Sequence, residues 1–196
     1  MTEADPELRI NLKELRPDPS FFTKALEDYE KVIGIATASI KKDASTANYQ
    51  YRAMVQLKLA NLFQNDSISS SSHVTAAIED HENAIGKYTA DIEKDHNNAA
   101  LYWARSEAYL NLSQDILRFD RKLGQRYSEM AVEDCKKAIG IEPSSEHHLG
   151  LAQIYIGMGK FAAAVEIYKL ILKNDSTNLE AQEGLTKFES LASYNT

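Results

Sequence analysis

Apolar residues recur at steps of three and four along most of the chain, and this spacing places them on one face of an α-helix. The first such stretch follows Asp18 and Pro19, a capping carboxylate and a proline suited to the first helical position, and it predicts a helix over 19–42. The same spacing predicts further helices at about 46–64, 74–95, 98–112, 127–141, 146–157, 161–174 and 178–192. No stretch alternates as a strand does, so the sequence predicts an all-α fold.

Four of the predicted helices share a short pattern: alanine, an aliphatic residue, two mostly polar residues and then a ring or, in one helix, a cysteine. The four segments are Ala25–Tyr29, Ala84–Tyr88, Ala131–Cys135 and Ala164–Tyr168. Their alanines are separated by 59, 47 and 33 residues. A pattern that recurs at one place in successive helices predicts a repeated helical unit, with insertions accounting for the two longer spacings.

The segment 145–178 resembles a tetratricopeptide repeat, a helix–turn–helix unit of about 34 residues. The residues that carry the resemblance are Leu151, Ala152 and Tyr155 in the first helix, Gly159 and Phe161 at the turn, and Ala164 and Tyr168 in the second helix. The small residues suit a close crossing of the two helices. The resemblance implies that helical hairpins stack into a right-handed superhelix, which a C-terminal helix at 178–192 would cap.

This interpretation divides the chain into an N-terminal leader and one repeat domain. The predicted parts are a leader over 1–18, and a repeat domain over 19–196 that comprises a partial unit 19–52, a unit 53–98, a unit 99–144, a unit 145–178 and the capping helix. The serine run Ser69–Ser72 predicts a flexible insertion in the second of these units. The insertion near 113–126 is amphipathic and net positive, which leaves two alternatives: an extension of its helix or a contact with a partner.

The charge balance excludes several kinds of partner. The chain has 22 basic and 29 acidic residues, a net charge of −7, which disfavours binding to the phosphates of nucleic acid. The sequence has no apolar run long enough to span a membrane, and its first 20 residues lack the apolar stretch of a signal peptide. We therefore expect a soluble cytoplasmic protein without nucleic-acid or membrane partners, the nucleus being the alternative location.

Side chains suited to catalysis or metal binding do not converge in the sequence. Cys135 takes a core position of a helix, where a free cysteine acts as a small hydrophobe. His147 and His148 are adjacent and diverge on a helix, whereas two metal ligands on one face need a spacing of four. We expect no enzyme activity, no metal and no cofactor.

In co-chaperones of this repeat family, five side chains (Lys, Asn, Asn, Lys and Arg) grip the Glu-Glu-Val-Asp tails of cytosolic heat-shock chaperones. Carried onto this chain, the five positions fall on Leu57, Asn61, Ala104, Glu146 and Gly150. Only the asparagine at position 61 is retained, and Glu146 would repel a carboxylate. The resemblance therefore predicts weak binding of chaperone tails.

The first helices of stacked repeats line a concave groove, and the resemblance implies that a protein segment binds there. The candidate groove residues are Lys58, Asn61, Ala100, Trp103, Ala104, Glu107, Glu146, Leu149, Gly150 and Gln153. This set is apolar with an acidic end, which favours an apolar or basic protein segment and a role as an adaptor or complex subunit. A co-chaperone with an altered clamp is the alternative. Trp103 either anchors the ligand or packs between repeats, and the sequence leaves both open.

Overall fold

A computed structural model describes residues 19–63 and 67–193, and all regular structure in these residues is α-helical. The helices are α1 (Pro19–Lys42), α2 (Thr46–Leu62), α3 (Ser67–Lys94), α4 (Ala99–Ile116), α5 (Arg121–Ile141), α6 (Ser145–Gly157), α7 (Phe161–Asn174) and α8 (Leu179–Ser193). The all-α prediction is confirmed, and each predicted helical segment overlaps one of these helices. The predicted leader, 1–18, lies outside the described residues.

Short polar side chains define where several helices begin. Ser45, Asp120 and Ser144 precede α2, α5 and α6, and each accepts a hydrogen bond from the backbone N–H three residues further on. Such a cap satisfies one of the N–H groups that the first helical turn leaves unpaired. The turn between α6 and α7 depends instead on Gly159, whose φ of 70° is readily adopted by glycine.

Each helix packs against the next along the chain, so the described helices form a linear stack of antiparallel hairpins. The main hairpins are α2–α3, α4–α5 and α6–α7, and α8 covers α7 as the predicted capping helix should. Alanines at the helix crossings are fully buried, among them Ala131, Ala152 and Ala164. Because a methyl group takes little space, the helices approach closely at these points. The fold is a stack of tetratricopeptide-like hairpins, and its right-handed twist stays a prediction.

The prediction of a flexible serine insertion is wrong, because Ser69–Ser72 lie inside α3. Tertiary contacts explain the difference. Further along α3, Ala77 is buried against Ala53 and Leu57 of α2, and Val74 packs on the same cluster. Burial of this apolar face stabilises the whole helix and overrides the weak helix propensity of serine.

The insertion near 113–126 lengthens the α4–α5 hairpin, so the helix-extension alternative is confirmed. α4 continues to Ile116, and α5 begins at Arg121 after a short connection. Ile116 in the added turns is buried in one cluster with Leu112, Tyr127 and Ile85 of α3. Polar contacts also join the two helices there, since the Ser113 hydroxyl lies 2.6 Å from that of Ser128.

Two matching polar clusters tie three successive helices together. In the first, the Arg52 guanidinium donates to both carboxylate oxygens of Asp80, at 2.8 and 2.6 Å, and to the Thr37 hydroxyl at 3.0 Å. In the second, Arg105 donates in the same way to Asp134, at 2.6 and 2.8 Å, and to Thr89 at 3.0 Å.

These clusters correct the repeat alignment. Since Asp80 and Asp134 occupy equivalent places, the counterpart of Ala131–Cys135 is Ala77–His81, not Ala84–Tyr88. The predicted unit boundary at residue 53 also falls inside α2. The hairpin that matches α4–α5 starts at Thr46.

Candidate protein-binding groove

Trp103 of α4 connects the second and third hairpins. Its ring lies 5.1 Å from the ring of His147 on α6, measured between centroids and tilted by 42°. The far edge of the indole reaches Gly150, one turn further along α6, and it fills the space that a Cβ at that position would need. Trp103 remains half-buried, so one side of the ring is packed between repeats while part of its surface faces solvent.

His147 holds the other side of this contact in place. It is buried, and its Nδ1 lies 2.9 Å from the backbone carbonyl oxygen of Glu142. Its backbone carbonyl accepts a hydrogen bond from the Cys135 thiol, with 3.4 Å between the sulfur and oxygen atoms. The start of α6 is therefore tied to α5, which fixes the surface on which Trp103 rests. Sequence reasoning considered His147 only as a metal ligand and left it out of the groove, although its spacing of three from Gly150 places both on one helix face.

Two carboxylates lie next to this tryptophan on the exposed surface of the groove. Glu107 follows Trp103 by one helical turn on α4, and Glu146 lies in the first turn of α6. Partial burial raises the pKa of Glu107 above its ordinary value of 4.5, and the negative charge of Glu146 raises it further. The structure thus brings together Trp103, Glu107, Glu146 and Gly150, which the sequence predicted as parts of one surface.

The remaining candidates on α4 and α6 differ in accessibility. Ala100 and Gln153 are exposed, whereas Ala104 and Leu149 are half-buried. The Gln153 amide donates a hydrogen bond of 3.2 Å to Glu180 on α8, which extends the acidic end of the surface onto the capping helix.

On α2, the alignment of the polar clusters changes the set of groove candidates. Lys58 is exposed and Asn61 half-buried, but α2 packs on α1 and α3, and neither residue is brought against Trp103 among the described contacts. Leu57, the first transferred clamp position, is buried in the core between α2 and α3.

Tyr51 and Met54 are the groove candidates that sequence reasoning missed. Because Arg52 is equivalent to Arg105, Tyr51 lies at the position equivalent to Ala104, and Met54 lies at the position equivalent to Glu107. These two side chains are 49% and 42% exposed, large values for apolar residues. The Arg-Ala and Arg-Ser pairs at 52–53 and 105–106 were the sequence signal that could have given this register.

The family comparison concerns α6, α7 and the turns beside them. A family model described as a tetratricopeptide repeat matches residues 148–178. Over this segment the chain matches a tetratricopeptide repeat. The match covers Ala152 and Tyr155, which pack in one cluster with Ala164 and Tyr168 of α7, and Leu151, which is buried with Ala131 and Cys135 of α5. A tetratricopeptide repeat supports a role in protein–protein interaction, and its first helix here is the one that contacts Trp103.

Among residues 19–63 and 67–193, no helix has the length and apolar character needed to cross a bilayer. The same residues contain no group of three or more His, Cys, Asp or Glu side chains placed to hold a metal ion.

Proposed function

We propose that this protein is a non-enzymatic interaction module, an adaptor or complex subunit, that binds a basic protein segment in the groove formed by α2, α4 and α6. The observation that supports this most directly is the pair of carboxylates on Glu107 and Glu146 beside the half-buried ring of Trp103. Neither carboxylate forms an ion pair with another described residue.

Charge and shape both favour a basic ligand with apolar side chains. The two carboxylates repel each other, and a lysine or arginine placed between them would relieve that repulsion. The accessible part of Trp103 offers a flat surface to an aliphatic side chain or a guanidinium group. Tyr51 and Met54 supply further apolar surface on α2. Binding energy would therefore come from the aromatic anchor, and the choice of a basic segment from the acids.

The altered-clamp alternative has less support. A chaperone tail ends in carboxylates and needs cationic donors, whereas Glu146 stands at a transferred lysine position. The transferred position 57 is occupied by a buried leucine. No described contact supplies the missing donors, so we favour a basic ligand over an acidic tail.

A binding experiment with two peptide pools tests the proposal. One pool would alternate lysine or arginine with leucine or isoleucine, and the other would replace the basic residues with glutamate. We expect only the basic pool to shift the amide resonances of α4 and α6 around Trp103, in the ¹⁵N spectrum of the labelled protein.

Charge reversal then identifies the acids responsible. The variant Glu107→Lys, Glu146→Lys should weaken binding of the basic pool at least about tenfold, equivalent to about 1.4 kcal/mol. The control Glu133→Lys, Glu189→Lys makes the same change in net charge at exposed positions on α5 and α8. The proposal would be refuted if the groove variant and the control variant lost the same affinity for the basic pool. It would also be refuted if the basic and acidic pools bound the original protein equally.

A further inference from the structure

The α4–α5 hairpin extends beyond its neighbour at the end opposite to the α5–α6 connection. α4 and α5 contain 18 and 21 residues, whereas α6 and α7 contain 13 and 14. At a rise of about 1.5 Å per residue, five extra residues in α4 add roughly 7 Å. We call residues 113–126 the hairpin tip. The neighbouring α6–α7 hairpin is shorter, so a step forms where the hairpin tip extends past the turn between α6 and α7.

This step encloses a cavity of about 280 Å³ between α4, α5 and the α6–α7 turn. Its apolar lining includes Leu110, Leu117 and Met158, and its polar lining includes Gln114, Arg121 and Lys160. Leu117 is 39% exposed, which is high for a leucine next to a core. The cavity therefore combines apolar side chains with two cations, the amides of Gln114 and Gln125, and one carboxylate, that of Glu129.

The hairpin tip is basic in an acidic protein. Its cationic residues are Arg118, Arg121, Lys122 and Arg126, all exposed, and Lys160 lies across the step. None of the five forms an ion pair with another described residue. Since the whole chain carries a net charge of −7, this positive patch is a local departure from the general charge.

The walls of the step are held rigidly. The Ser113 hydroxyl donates to the Gly124 carbonyl oxygen at 2.8 Å and contacts Ser128, so side chains that line the cavity cross-link α4 and α5. Asp120 caps α5 through the Leu123 N–H at 2.9 Å. A surface with fixed walls loses little conformational entropy when a ligand binds.

We infer that this step is a second docking surface, separate from the groove, and that it takes an acidic protein segment carrying an apolar side chain. Carboxylates of the segment would pair with Arg121 and Lys160, and its apolar side chain would cover Leu110, Leu117 and Met158. Gln114 and Gln125 can both donate to and accept from a peptide backbone. An anionic bilayer fits less well, because the lining residues surround a concave cavity that a flat bilayer would not enter.

The test uses the ¹⁵N-labelled protein and two pools of short peptides. In the acidic pool, aspartate or glutamate alternates with leucine or isoleucine, and in the control pool lysine or arginine replaces the acids. The acidic pool should shift amide resonances at 110–129 and 157–160, and the shifts should weaken as salt rises. The basic pool should leave these resonances unchanged. This result is independent of the proposed function, because binding in the groove is followed separately through the resonances around Trp103.

Paired variants locate the binding groups. Arg121→Glu with Lys160→Glu should weaken the acidic pool at least about tenfold, as should Leu117→Ser by removing apolar contact. The control Lys136→Glu with Lys173→Glu changes the net charge equally at exposed positions elsewhere, and it should bind as the original protein does. Circular dichroism checks that each variant is folded.

Three results would overturn the inference. The first is an acidic pool that causes no shifts at the step. The second is the same loss of affinity in the Lys136, Lys173 control. The third is binding to phosphatidylserine vesicles that depends on Arg121 and Lys160 while the acidic peptides do not bind, which would assign the surface to a membrane.

Discussion

The indole ring of Trp103 occupies the space in which a side chain at position 150 would begin. This relationship joins α4 to α6, the first helices of two consecutive hairpins, and it requires glycine because a Cβ would overlap the ring. The tryptophan is thus an inter-repeat contact that also presents part of its surface to the groove. The sequence left open whether Trp103 packs between repeats or faces the groove, and different parts of the ring do each.

Gly150→Ala should destabilise the protein by about 1–3 kcal/mol, because the added methyl group forces the indole or α6 to move. Urea denaturation of the variant measures the free energy of unfolding. Gly86→Ala is the matched control, since nothing lies within 4 Å of a Cβ there. In the control, replacing a helical glycine should stabilise the protein by about 0.5–1 kcal/mol. A Gly150→Ala variant as stable as the Gly86→Ala control would contradict the packing described for Trp103.

Breaking the second polar cluster should cost about 3–5 kcal/mol of unfolding free energy. Arg105→Met leaves the carboxylate of Asp134 buried without its partner, since that side chain is only 4% exposed. The double variant Arg105→Met, Asp134→Leu should recover much of the loss, because it removes the charge as well. Arg118→Met serves as the control on an exposed arginine and should change stability by less than about 0.5 kcal/mol. Equal stability of Arg105→Met and the control would contradict the role of the cluster.

The carboxyl group of Glu107 should titrate above its ordinary pKa of 4.5, and Glu146→Gln should lower that pKa. A raised folded-state pKa means that folding disfavours the charged form. Glu107→Gln should therefore raise the free energy of unfolding at pH 7, and this gain should disappear as the pH falls below about 4.5. NMR titration of the side-chain carboxyl resonance measures the pKa in both proteins. A pKa that does not change in Glu146→Gln would show that the two acids do not interact.

Cys135 should be unreactive toward thiol reagents in the folded protein. Burial, and to a lesser extent the charge of Asp134, raise the pKa of its thiol from 9.0 to about 12, so little thiolate forms at pH 8. Reaction with a disulfide reagent should occur only when urea unfolds the chain. An exposed cysteine introduced by Ser176→Cys provides the positive control. Rapid modification of Cys135 without denaturant would contradict its placement in the core.

The hydrophobic spacing predicted the helices well because each helix buries one face against its neighbour along the chain. The serine run predicts a flexible insertion because serine has a weak preference for helix and the run has no apolar pattern. Its helical state depends on Val74 and Ala77, which pack on α2 and extend the helix past the serines. Local propensity cannot account for a helix that is stabilised by a distant contact.

The repeat register required information beyond the alanine pattern. Ala84–Tyr88 and Ala77–His81 both fit a small residue followed by an aliphatic one, and they lie two helical turns apart on nearly the same face of α3. Only the pairing of Arg52 with Asp80, matched by Arg105 with Asp134, distinguishes them. A period of seven residues keeps a helix face almost unchanged, so sequence patterns alone allow such a shift.

The sequence by itself determined the all-α class, the approximate helices, the repeat in the C-terminal part and the choice of Trp103, Glu107, Glu146 and Gly150 as one candidate surface. These follow from local periodicity and from residue types within one unit. The tertiary structure decided the register of the earlier hairpins, the burial of Leu57, and the contact of Trp103 with Gly150. It also decided the step beside the α4–α5 hairpin tip. Each of these depends on how far one helix extends relative to another, and that distance is set by packing between helices.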